Sequence, residues 1–258
     1  MPAEDLPENK RIFVIGGSRG IGRAIAIALA EDGYDVTITS REPEREARQV
    51  VEEMRLSKPD GAFGVEWLDV SDGGAVDHFA SQIEADEGLY GLVYNAGQSY
   101  DQLAAAVDIA RAVELMQVNF FGFMRLAGAA LRPLVRAKTG RLVSIGSVTS
   151  LYGTSGNSTY AATKGAMLGY VRSLAVEVAR KGVTVNYIAP GFVNTKLLEP
   201  YQAYMDILES QIPSGRIAEP EEVANLVRFV VSPGSRYMTG SILTVDGGLS
   251  ANLISRRR

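Results

Sequence analysis

The chain has 258 residues, an ordinary length for one α/β domain, and its 26 basic against 30 acidic residues leave a net charge of −4, with no global positive field for nucleic acid or an anionic membrane. With 0 cysteines there is no disulfide, thiolate nucleophile or Cys-based zinc site, and 1 histidine excludes a histidine-rich metal cluster. Hydrophobic residues at 46% and charged residues at 22% indicate a chain that mostly folds, and its longest unbroken apolar run, Ala24 to Ala30, falls far short of the roughly 20 residues that cross a bilayer.

Met1 to Lys10 carries Glu4, Asp5 and Glu8 and lacks the basic start and apolar centre of a secretory signal. A flexible tail over residues 1–10 and a cytoplasmic location are expected. Arg11 to Ile15 is a short β-prone run that stops at Gly16-Gly17, the pattern of a buried strand. From Gly20 the apolar residues Ile21, Ala24, Ile25, Ala28 and Leu29 follow helical spacing as far as Gly33. The alternation then repeats: strand 35–39, helix 44–56, strand 63–68, helix 74–87, strand 91–94, and a long helical stretch from Asp108 to Lys138. Strand 141–145, helix Ser158 to Lys181, strand 183–188, helix 220–231 and strand 241–245 complete the pattern.

Regular βα alternation calls for parallel strands joined by right-handed crossovers, with helices on both faces. The fold expected is a Rossmann-type, doubly wound, seven-stranded parallel sheet in three αβα layers, forming a single domain over residues 11–258. An eight-stranded barrel would need a further βα unit where only loops remain. The irregular stretch Pro190 to Gly215, with Tyr201, Tyr204 and Met205, is long for a plain connection and reads as a substrate lid.

The first turn, Gly16-Gly17-Ser18-Arg19-Gly20-Ile21-Gly22, follows a strand and opens a helix. Glycines there let backbone N–H groups approach a pyrophosphate, and the helix N-terminus adds donors and partial positive charge. The same letters satisfy G-x-S-x-G, a nucleophile elbow. That reading needs a later acid and histidine, and the sole histidine, His78, sits inside the amphipathic helix expected over 74–87. At the end of the second strand stands Thr39-Ser40-Arg41, with no carboxylate. An acid there would bind the 2′-hydroxyl of NAD, whereas Arg41, with Arg19 in reach, suits the 2′-phosphate of NADP. Beyond the fifth strand come Ser147, then Tyr160 with Lys164 at i+4 on the same helix face.

On these residues, together with Asp69-Val70, Asn95-Ala96-Gly97, Asn119, Pro190-Gly191 through Thr195 and Val245-Asp-Gly-Gly248, the sequence resembles the classical short-chain dehydrogenases/reductases. Among these it is most similar to β-ketoacyl-[acyl-carrier-protein] reductases. Two departures stand out: Ile15 and Tyr94 occupy places where the family commonly has Thr and Asn.

The resemblance implies NADP(H)-dependent reduction of a ketone, with Tyr160 as proton donor, Lys164 lowering the tyrosine pKa and holding ribose hydroxyls, Ser147 fixing the substrate oxygen and Asn119 holding a water. A phenol brought from about 10 to about 7 needs roughly 4 kcal/mol of differential stabilisation. It further implies a cofactor site of Gly16, Ser18, Arg19, Gly20, Ile21, Gly22, Arg41, Asp69, Val70, Asn95, Ala96, Gly97, Pro190, Gly191, Val193 and Thr195, with no metal. Asp69 and Val70 would meet the adenine, Asn95 and Gly97 the ribose, Val193 and Thr195 the carboxamide. The implied substrate is a 3-oxoacyl thioester, with Lys138 and Lys181 at the mouth of the site as contacts for an acidic carrier protein. A free ketone, sugar, polyol or steroid is the alternative, and a non-catalytic NADP sensor a more distant one. Small and apolar residues on the two long helices (Ala127, Gly128, Ala129 and Ala130; Ala166, Met167 and Tyr170) leave extra apolar faces that need a partner, and the resemblance implies that these helices pair across two-fold axes into a homotetramer, or a dimer.

Overall fold

The computed structural model describes residues 10–41 and 44–251. Apart from Lys10, the expected N-terminal tail lies outside these residues. Among the described residues there are seven strands: β1 (Arg11–Ile15), β2 (Asp35–Ser40), β3 (Phe63–Trp67), β4 (Leu89–Tyr94), β5 (Gly140–Ile145), β6 (Val183–Pro190) and β7 (Ile242–Val245). They form one parallel sheet in the order β3-β2-β1-β4-β5-β6-β7. Its edges, β3 and β7, stay open, so the barrel alternative is excluded. β4, β5 and β6 are buried along their whole length, as central parallel strands covered on both faces must be. β3 at the edge is part-exposed and keeps Glu66 and Trp67 in solvent.

The helices divide between the two faces. On one face α1 (Gly20–Glu31), α2 (Glu44–Ser57) and α8 (Pro220–Val231) bury Ala24, Ala28, Val50, Met54, Val223 and Val227 against Ile12, Val36 and Ile38. On the other, α3 (Gly73–Ala85), α5 (Gly122–Ala137) and α6 (Ser158–Val178) bury Phe79, Phe123, Leu126, Met167 and Val171 against Phe13 and Leu142, and α4 (Ile109–Met116) lies against α6. α8 starts where Pro220 can occupy the first helical position, and a reciprocal capping box between Glu219 and Glu222 closes its N-terminus. No helix among the described residues is long and apolar enough to cross a membrane.

Three expectations need correction. The stretch Asp108 to Lys138 is not one regular helix, because a π turn over Gln117–Phe121 separates α4 from α5. The Tyr94 hydroxyl donates to the Val118 carbonyl oxygen (2.5 Å) inside that turn, and Asn119 is fully buried there. The stretch Pro190 to Gly215 is not irregular throughout: it holds a 3₁₀ run, Lys196–Tyr204, and α7 (Met205–Gln211). These pack on a small cluster of their own, Leu198, Ile212 and Ile217. Finally, Lys138 follows α5 and Lys181 ends the 3₁₀ turn after α6, immediately before β5 and β6. Both lysines therefore lie at the N-terminal edge of the sheet, opposite the strand ends that carry Ser147 and Gly191, and do not rim this chain's own cleft.

The apolar surface of the long helices is also redistributed. Ala127, Ala129, Ala130 and Met167 are consumed inside the chain, while Ile109, Val113, Phe121 and Met124 remain exposed along α4, the π turn and α5.

Candidate active site

In an open α/β sheet, ligands bind beyond the carboxyl ends of the strands where the strand order reverses, here between β1 and β4. The glycine turn after β1 and Asn95 after β4 meet at that point. Asn95 Nδ2 donates to the Gly16 carbonyl (2.9 Å), and the Asn95 and Ala96 amides both donate to Ile15 O (3.0 and 2.8 Å). From β2, Thr39 Oγ1 accepts from the Gly16 amide (2.9 Å). The turn has room only for glycine: a methyl added at Gly22 would stand 2.1 Å from Gly16 O and 2.6 Å from Asn95 Nδ2. Arg19 opens α1 with no side-chain cap and no acid in the first turn, so that turn's N–H groups are left to an external anion. These are observations that fit a dinucleotide phosphate.

The adjoining cleft gathers Ser18, Arg19, Arg41, Asp69, Val70 and Gly97, with Gly16, Asn95 and Ala96 also on its wall. Asp69 Oδ1 accepts from the Ser71 amide (2.9 Å) and hydroxyl (2.6 Å). Burial would raise its pKa, but these bonds and the neighbouring Arg41 outweigh it and hold the carboxyl below its ordinary range.

A second cleft, about 570 Å³, continues from Ile21 past Pro190, Gly191, Val193 and Thr195 to Ser147 and Tyr160. Ser147 Oγ accepts from the Thr149 amide (3.2 Å) and hydroxyl (2.9 Å), which leaves its own proton for a bound group. Burial pushes the Tyr160 phenol above its ordinary value, with Tyr187 adding to the rise, Ser147 opposing it and Asp101 adding a smaller increment. The expected drop toward neutrality is thus not a property of the chain alone.

Lys164 is buried, donates from Nζ to Ile145 O (3.0 Å) and lies 5.7 Å from the centre of the Tyr160 ring. Burial lowers its pKa to about 8. Asn119 clamps the loop after β4 to α6: its Oδ1 accepts from the Gln98 amide, and its Nδ2 donates to Gln98 O and Thr163 Oγ1, each at 2.9 Å. One Oδ1 lone pair remains. His78 is exposed on α3, far from this arrangement in the topology.

Sequence reasoning did not single out Gln98, Thr163, Asp101 or Tyr187, whose roles come from contacts across distant segments. Tyr94, noted only as a departure, supports the turn that carries Asn119.

A glycine-rich phosphate cradle, joined to a cleft lined by Ser147 and Tyr160 with Lys164 buried beside the tyrosine ring, defines a nicotinamide-dependent oxidoreductase. A family profile described as "Enoyl-(Acyl carrier protein) reductase" matches residues 15–250, and the chain belongs to the short-chain dehydrogenase/reductase family. It is similar to the 3-oxoacyl-[acyl-carrier-protein] reductase FabG of Aquifex aeolicus, at 37% identity over 94% of this chain and 98% of the relative. The corresponding reductase of Aggregatibacter actinomycetemcomitans is 35% identical over 93% and 99% of the two chains. Among solved structures, a gluconate 5-dehydrogenase from Burkholderia cenocepacia in complex with NADP and tartrate superposes with a TM-score of 0.87, at 30% identity over 96% of this chain and 97% of that one.

Proposed function

We propose that the protein uses NADPH to reduce the ketone of a 3-oxoacyl thioester to the 3-hydroxyacyl product. The observation that carries the choice of substrate is the lining of the second cleft. Leu103, Val148, Tyr152, Phe192, Leu198 and Leu208 make it largely apolar, and among the described residues its one charged lining side chain is an acid, Asp101, held by Asn157 Nδ2 (2.6 Å). Among those residues no lysine, arginine or histidine lines it. An uncharged acyl chain gains burial here. A sugar acid, the substrate named for the gluconate dehydrogenase neighbour, would face a carboxylate and find no cation among the described lining residues.

The first cleft holds the adenosine end, with Arg41 and Arg19 toward the 2′-phosphate, Asp69 and Val70 at the adenine, and Asn95, Ala96 and Gly97 along the ribose. Gly16, Ser18, Gly20, Ile21 and Gly22 carry the pyrophosphate, and Pro190, Gly191, Val193 and Thr195 the nicotinamide end. When bound, NADPH supplies a hydride to the carbonyl carbon. Ser147 donates to the carbonyl oxygen and sets its place beside Tyr160. Tyr160, kept protonated by burial, transfers its phenolic proton to that oxygen as negative charge develops. Lys164, with a pKa of about 8, keeps its charge at neutral pH, stabilises the phenolate left behind and bonds the ribose. The free Oδ1 lone pair of Asn119 holds a water through which the proton is replaced.

The segment 190–215 closes over the substrate as a lid. The exposed apolar strip Ile109, Val113, Phe121 and Met124 pairs across a two-fold axis in a homotetramer. An acyl carrier protein presents the thioester, without using Lys138 and Lys181 on the same subunit.

NADPH consumption against a panel tests the reading: 3-oxoacyl thioesters, free ketones, keto-sugar acids and 2-enoyl thioesters. The 3-oxoacyl thioesters should give the highest kcat/KM. A preference for the keto-acids would refute the assignment from the cleft, and turnover confined to the 2-enoyl thioesters would replace ketone reduction with alkene reduction.

A further inference from the structure

The buried phenol of Tyr187, on β6, has no part in the chemistry above, yet it is placed between two of the groups that do. Its hydroxyl accepts from the Ser147 amide (3.1 Å). It lies 2.9 Å from Ser150 Oγ and 3.2 Å from the Lys164 carbonyl oxygen on α6. Ser150 in turn donates its own proton to Ser147 O (2.6 Å), so Ser150 Oγ is free to accept from Tyr187. The result is a closed ring: Ser147 N–H to Tyr187, Tyr187 O–H to Ser150, Ser150 O–H back to Ser147 C=O. Both backbone polar groups of Ser147 are thereby fixed by one side-chain pair, beneath the helix that carries Lys164.

The ring exists only because residue 146 has no side chain. A methyl at Gly146 would stand 1.8 Å from Tyr187 Cζ and 2.0 Å from its hydroxyl oxygen. Gly146 and Tyr187 are thus complementary: the absence of one side chain is the space for the other. Tyr187 is fully buried, and a buried phenol in an apolar core needs hydrogen-bond partners, which here are all taken from the serine loop and α6.

We propose that Tyr187 is a positioning residue, which holds the backbone of Ser147 in register with Lys164 so that the serine hydroxyl faces the substrate oxygen. The inference rests on the reductase reading for its kinetic consequence, and on geometry alone for its structural one. The test compares Tyr187→Phe with wild type in the full chain, alone and in a Ser147→Ala background. Hydrogen exchange over residues 146–151 is measured without substrate, NADPH affinity by fluorescence, and kcat and KM on the best ketone.

Tyr187→Phe should speed exchange at the Ser147 amide by about tenfold or more. It should lower kcat by about tenfold, leave KM and NADPH affinity within about twofold, and cost less than about twofold when Ser147 is already alanine. Unchanged exchange at Ser147 overturns the proposal whether or not any ketone is turned over. An equal fractional loss of kcat in both backgrounds also overturns it, since a merely structural defect would not depend on Ser147. Absence of wild-type turnover would count against the reductase reading, with the exchange measurement still deciding this one. Should Tyr187→Phe not fold, Ser150→Ala opens the same ring from its part-exposed side, and unaltered exchange at Ser147 in that variant refutes the proposal.

Discussion

Lys164 is a buried ammonium with no carboxylate bonded to it among the described residues, and replacing it by methionine should expose the cost of that arrangement as a pH-dependent stability difference. Burial lowers its pKa from the ordinary 10.5 to about 8. At about 1.4 kcal/mol per pH unit, this corresponds to about 3 kcal/mol of destabilisation in the ligand-free protein at neutral pH. The sign follows from proton counting. Below pH 8 both the folded and unfolded states hold the proton, and the whole penalty is present. Between about 8 and 10.5 the unfolded state holds more protons, so the wild type gains stability as pH rises; above 10.5 the penalty is gone. The gap between Lys164→Met and wild type should therefore be constant below pH 8, then move in favour of wild type by roughly 1.4 kcal/mol per unit above it. Methionine also orphans Ile145 O, which accepts from Nζ at 3.0 Å. That loss, about 1–3 kcal/mol, offsets the gap at every pH but not its slope. Urea unfolding at pH 7, 8.5 and 9.5, at one protein concentration, measures the difference, in which the other titrating groups cancel. A gap that does not change across that range would refute the claim that Lys164 is held as a costly buried cation.

Tyr160→Phe should abolish ketone reduction while NADPH, followed by fluorescence, still binds within about twofold of wild type, because only the transferable proton is lost; near-normal turnover would dismiss Tyr160 as the acid. Arg41→Asp should weaken NADPH relative to NADH by at least about 2 kcal/mol in titrations, since a donor to the 2′-phosphate becomes a like charge; equal affinities of the wild type for both cofactors would remove the basis for it. Gly22→Ala should break the Asn95–Gly16 bond and cost about 1–3 kcal/mol in unfolding free energy together with cofactor binding, and a variant of unchanged stability would show that the turn can relax. Light scattering at micromolar concentration should find a tetramer, and Phe121→Arg should dissociate it; a wild-type monomer would refute the pairing of the exposed α4–α5 strip.

What the sequence made legible is what repeats locally. The strands are legible because central parallel strands are buried on both faces and so are mainly apolar, although the runs 141–145 and 183–188 each also carry two polar residues, Arg141 and Ser144, Thr184 and Asn186. The bounds of α8 were legible as 220–231, and the i, i+4 spacing put Tyr160 and Lys164 on one helix face, while the roles expected of them came from the family resemblance. The π turn at Gln117–Phe121 was not readable. Its apolar pattern is that of a continuous helix, and the cause is a tyrosine in β4, more than twenty residues earlier, that takes the Val118 carbonyl. Tyr187 was hidden in the same way. In the sequence it is one more β-prone residue of a buried strand, and only the fold brings the vacancy at Gly146 opposite it.

The misplacement of Lys138 and Lys181 has a different origin, and it follows from topology. In a sheet whose strands are all parallel, each residue just after a strand lies at the end where the glycine turn, Asn95, Ser147 and Gly191 collect. The helix that follows runs back, so each residue just before the next strand lies at the other end. Lys138 and Lys181 both occupy that second kind of position, and Gly182 is close enough to Lys138 that a methyl on it would stand 2.2 Å from the Lys138 carbonyl oxygen. Charge and proximity to a long helix do not decide whether a residue can meet a substrate in such a fold; its place relative to the nearest strand end does. By that rule, the carrier-protein contact proposed above would fall on the loops after the strands, including the segment 190–215 with its exposed Leu197, Tyr204 and Ile207, and not on the turns that lead into β5 and β6.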